Sequence, residues 1–84
     1  MKNKINVDII VPSLEEKFNV FLPVNKKTIE IIFLLNKAIN DLSTGCFPIN
    51  NELVLVDGYT GLPYDPNNTI KENRIMNGSR LILM

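Results

Sequence analysis

The chain has 84 residues, a hydrophobic fraction of 45%, nine basic and nine acidic side chains, one Cys and no His. A chain of this length is expected to form one domain, 1–84, with a small core, and its apolar content argues against disorder. Balanced, mixed charge argues against nucleic acid and against an electrostatically held membrane surface, and no apolar run approaches the roughly 20 residues that span a bilayer.

The N-terminal stretch alternates. Ile5, Val7, Ile9 and Val11 fall on one side, and Asn6, Asp8 and Ile10 on the other. A period of two predicts a half-buried strand over Lys4–Val11, not a signal peptide or a membrane anchor. Pro12 to Glu16 reads as a turn. Residues 17–22 read as a second strand, with Phe18, Val20 and Leu22 on one side and Asn19 and Phe21 on the other. The two form a hairpin that Pro23 should end, because proline cannot donate to a ladder. Leu14 is expected to fold over the hairpin end.

Thr28–Leu42 is the stretch that reads as a long helix. At 3.6 residues per turn, Ile31, Ile32, Leu34, Leu35, Ala38, Ile39 and Leu42 gather in one arc, opposite Glu30, Asn36, Lys37, Asn40 and Asp41. Asn25 or Thr28 is the expected N-cap, with Lys26 and Lys27 before the helix and Glu30 favoured at its positive end. Gly45 supplies the stop. Ile29 and Phe33 fall outside the apolar arc. Either the following loop or residues 62–70 cover them, or they form a partner-binding spot on the outside of the helix.

After the helix, Cys46 to Asn51 reads as a loop anchored by Phe47 and Ile49. Residues 52–56 read as a third strand, nearly all apolar. Asp57 to Gly61 is a turn, Leu62-Pro63-Tyr64 at best a very short edge strand, and Asp65 to Asn68 another turn. Thr69 to Asn73 suits a single helical turn, Ile75 an anchor, Asn77-Gly78 a tight turn and residues 80–84 the last strand. The first and last strands can lie side by side, parallel, at the centre. This predicts an α+β fold in the β-grasp arrangement: a mixed four- to five-stranded sheet packed on one main helix.

The residues offer no catalytic constellation. Asp8, Glu15, Glu16, Asp41, Glu52, Asp57, Asp65 and Glu72 are scattered with no acid/base pair among them. Asp57 and Asp65 read as solvated turn carboxylates, not metal ligands. Gly58, Gly61 and Gly78 do not open a helix and are turn glycines, not a phosphate cradle. The lone Cys46 lacks a His to activate it and suits a reducing, cytoplasmic compartment. No cofactor is implied. If Leu53, Leu55, Leu81 and Leu83 face the helix, then Val54, Val56, Ile82 and Met84 point outward, joined by Ile10, with Arg80 at the rim. Such an apolar patch is the expected partner-binding surface. Its alternatives are burial in a homodimer, or strand propensity with no interface.

Leu22-Pro23-Val24 followed by Thr28-Ile29-Glu30 resembles the helix start of ubiquitin-like domains. The run from Thr69 to Leu83 resembles their closing segment, with its aliphatic anchor, Asn-Gly turn and alternating strand. Within that superfamily, Leu22-Pro23-Val24-Asn25-Lys26-Lys27, the long aliphatic helix and the close after the last strand are most similar to the YukD/EsaB group, accessory proteins of type VII secretion in Gram-positive bacteria. The resemblance implies a non-enzymatic interaction module whose partner is a component or regulator of the secretion machinery. A conjugated modifier or sulfur carrier would need a C-terminal Gly-Gly tail, and no glycine follows Gly78 in this sequence.

Overall fold

The computed structural model describes residues 3–84; Met1 and Lys2 of the N-terminal stretch lie outside them. The described elements run β1 (Lys4–Val11), a 3-10 turn (Pro12–Leu14), β2 (Glu16–Pro23), α1 (Thr28–Leu42), β3 (Leu55–Asp57) and β4 (Arg80–Leu83). The sheet order is β2-β1-β4-β3. β1 and β4 pair in parallel at the centre, and the two outer strands pair antiparallel to them. This is the expected mixed sheet.

Alternation decides the inner face. Val7, Ile9 and Val11 of β1, Leu55 of β3, and Leu81 and Leu83 of β4 are all buried. They meet Ile31, Ile32, Leu35 and Ile39 of α1, with Phe47, Ile70 and Ile75 dropped in from the loops. Leu14 packs on the edge of this core, as expected. The hairpin turns through Glu15, whose φ of 53° is left-handed and whose N–H donates to the Pro12 carbonyl at 3.0 Å. Pro23 is the last residue of β2, so the strand ends where expected. It pairs opposite Lys4, which an edge strand tolerates because one side of its backbone needs no donor.

The helix has the expected bounds, but its buried face is turned by about 50° from the predicted arc. Leu34, Ala38 and Leu42 are exposed, while Thr28 and Asn36 are buried. Hydrogen bonds outweigh hydropathy at these positions. Asn36 Nδ2 donates to the Pro48 carbonyl at 3.1 Å, and Asn36 Oδ1 accepts from the Asn50 N–H at 2.8 Å. Thr28 Oγ1 accepts from Asn73 Nδ2 at 2.8 Å. Neither Asn25 nor Thr28 is the N-cap. That position is Lys27, and its side chain makes no capping bond. The loop performs the task instead, since the Thr28 and Ile29 N–H groups donate to the Asn68 and Pro66 carbonyls at 2.8 and 3.0 Å.

Two further expectations are corrected between α1 and β4. Ile49 is not a buried anchor but is 54% exposed; the backbone on either side of it is held by Asn36, which leaves its side chain outside. β3 begins at Leu55 rather than at residue 52, because the Glu52 N–H is taken by Asn50 Oδ1 at 2.8 Å. The ladder is prolonged by Val54 and Met84, which exchange both backbone bonds at 2.8 and 3.1 Å. The short edge strand reduces to a bridge between Val56 and Pro63. Thr69 and Glu72 form a reciprocal capping box, each side chain accepting from the other's N–H at 3.0 and 2.9 Å. This box starts the expected single turn and presents Ile70 to the core.

Candidate protein interface on the open sheet face

The side of the sheet away from α1 is set by the residues that alternate with the core. Strand register assembles them into rows. Ile10 of β1 lies beside Ile82 of β4, and Ile82 beside Val56 of β3. Lys17 of β2 closes the row at one end and Pro63 at the other. One pair along, Val54 and Met84 lie side by side. One pair the other way, Asp8 lies between Asn19 and Arg80. The face is therefore graded, apolar at one end and polar at the other.

The predicted patch residues are brought together, but their exposure differs. Val54 and Met84 are 44% and 55% exposed, Ile10 and Ile82 are half-buried, and Arg80 is exposed. Val56 departs from expectation. It sits in the row, but only 7% of it is exposed, flanked by Ile82 on one side and Pro63 on the other. It supports the patch from below and does not present surface. Arg80 extends over Tyr59, its guanidinium carbon 5.8 Å from the ring centroid. The Gly58 N–H donates to the Arg80 carbonyl at 2.8 Å. A Cβ at Gly58 would lie 2.7 Å from that carbonyl oxygen, so the turn that carries Tyr59 reaches β4 only through glycine.

Sequence reasoning missed the polar neighbours. Asn6 and Asn19 exchange side-chain amide bonds at 2.8 and 2.9 Å, and Asn19 Nδ2 also donates to Asp8 Oδ1 at 3.0 Å. Lys17 was recoverable, since a hairpin closing at Val11 and Glu16 puts Lys17 against Ile10. Tyr59 was not, because nothing local in a turn states which strand it will cross.

Chemistry elsewhere is sparse. Among the described residues no group of three or more His, Cys, Asp or Glu could hold a metal. Cys46 sits exposed in a loop. The Tyr64 phenol is pushed up to about 12 by burial, and next by the charge and hydrogen bonding of Asp57; it holds its proton through the neutral range. No described helix is long and apolar enough to cross a membrane.

No family model matches this sequence, and no curated protein matches it. Solved structures do. The ubiquitin-like domain of EccD5 from Mycobacterium xenopi superposes with a TM-score of 0.78 at 23% identity, over 96% of this chain and 92% of that one. The chain has the ubiquitin-like β-grasp fold. The ubiquitin-like domain of the Mycobacterium tuberculosis type VII secretion protein ECCD1 superposes at 0.62 with 12% identity, over 96% and 97% of the two chains. A chain of the MycP5-free ESX-5 inner membrane complex superposes at 0.80 with 18% identity, over 98% of this chain and 21% of that one. In this ubiquitin-like fold α1 covers one side of the sheet, and the graded face lies on the other.

Proposed function

We propose that this chain is a non-enzymatic ubiquitin-like interaction module, an accessory or regulatory component of a type VII secretion system of the YukD/EsaB kind, acting in the cytoplasm. The observation that supports this most is the in-register row Ile10–Ile82–Val56, continued by exposed Val54 and Met84, on a sheet face that α1 leaves open. Apolar surface grouped in this way is more often an interface than an accident of strand propensity. Type VII secretion is favoured because proteins of such systems carry domains of this fold. In the mechanism, the apolar end of the face docks on a protein component or regulator of the secretion machinery. Arg80 at its rim orients a carboxylate of the partner, and the chain itself carries out no reaction.

Affinity capture from cells that carry such a system tests this reading. The wild-type chain should retain a component of the secretion apparatus, and Ile82→Asp should lose it while remaining folded. Equal retention by both would remove the sheet face from consideration, and capture of no secretion component would remove the assignment to that system.

A further inference from the structure

α1 presents a second side that neither the sheet nor the loops cover. Winding at 3.6 residues per turn aligns Glu30, Lys37 and Asp41 along it, with Phe33 on one flank and Leu34 on the other. All five are exposed, Phe33 to 58% and Leu34 to 55%. Ile29, Glu30, Phe33 and Leu34 surround a shallow open hollow. The Lys37 ammonium lies 5.5 Å from the centroid of its own Phe33 ring, which keeps it near the middle of the stripe.

The order of charges decides what fits there. Along α1 the stripe reads acidic, apolar pair, basic, acidic: Glu30, Phe33 and Leu34, Lys37, Asp41. Turned end for end, the centre of the stripe from Glu30 to Lys37 is its own complement. An identical helix laid antiparallel, about a two-fold axis beside Phe33 and Leu34, sets each Glu30 against a Lys37. It also brings the two Phe33 side chains together on one flank and the two Leu34 side chains together on the other. Along their own helix Glu30 and Lys37 are two turns apart, about 10.5 Å, so neither satisfies the other. A heterologous partner needs no such palindrome, whereas an isologous interface requires one.

We propose that the outer face of α1 is the interface between two copies of this chain, paired antiparallel. One helix face about 22 Å long is small for a stable interface, so dissociation lies on the order of 10–100 µM. The two open sheet faces then point away from one another, and the dimer offers two docking surfaces.

Charge exchange tests this in the full chain. Sedimentation velocity from about 10 µM to about 1 mM should show a monomer–dimer equilibrium. Glu30→Lys alone, or Lys37→Glu alone, places like charges together twice per dimer and should weaken it at least about tenfold. Mixing those two variants, or combining them in one chain, restores opposite charges at both contacts and should restore association. Phe33→Asp should give a monomer with unchanged circular dichroism. A wild type that stays monomeric throughout, a dimer indifferent to the exchanges, or one dissolved by Ile82→Asp instead would each overturn the proposal.

Discussion

The two sides of the sheet are built from the same strands and much the same side chains, yet they differ in what covers them. On the inner side Ile9, Leu81 and Leu83 are fully buried beneath α1. One residue along, Ile10 and Ile82 occupy the same strands in the same register, and stay half-exposed because no helix lies over them. The residue type does not separate core from surface here; the parity does. A methyl group turned inward contributes to the core, and its neighbour turned outward is available to another molecule.

The contrast is broken most severely from the inside. Ile31, 2% exposed in α1, meets the inner sheet face. Ile31→Asp buries a charge without a partner and should cost about 4 kcal/mol or more. A chain of this size commands roughly 4–12 kcal/mol in all, so a denaturant melt should find the variant largely unfolded. Asn36→Ala should cost about 2 kcal/mol, because it leaves the Asn50 N–H and the Pro48 carbonyl without their partner. Amide exchange should quicken at residue 50 before it quickens in β1.

That pair of variants also marks where sequence could be read and where it could not. β1 and β2 largely alternate, so their inner and outer residues were legible in the sequence, whereas the apolar run Leu81-Ile82-Leu83 of β4 carried no period and its parity rested on a condition. The helix was legible in extent but not in rotation. Hydropathy placed Leu34 and Leu42 inside and Asn36 outside, whereas Asn36 is buried because a loop arriving from 12 and 14 residues away needs its amide. Ile49 failed for the same reason. The patch was legible as a set of outward residues. Its relief was not, because the shielding of Val56 depends on Pro63 crossing beside it. Contacts made by irregular segments carry no period to read.

Smaller changes sharpen the comparison from the outside. Gly58→Ala drives a methyl towards the Arg80 carbonyl and should cost about 1–3 kcal/mol, read as a lower melting temperature with the start of β4 loosened. Ile82→Asp should change stability by no more than about 1 kcal/mol, since its charge reaches water, while removing partner association. The smallest effect is on pH dependence. The folded Tyr64 phenol titrates at about 12 and the unfolded one near 10.0. The folded state therefore holds a proton that the unfolded state has released. Its contribution is complete below pH 10 and is lost as pH rises through 12. The difference between melts of wild type and Tyr64→Phe should be constant through neutral pH and change only in that alkaline window, where wild type alone loses stability.

The most direct test of the account is the footprint of the captured secretion component on this chain, mapped by amide hydrogen exchange. Protection at residues 10, 54 and 80–84, with the inner core unchanged, is the predicted result. Protection that falls on α1 and leaves those outer strand positions exchanging as in the free chain would contradict it.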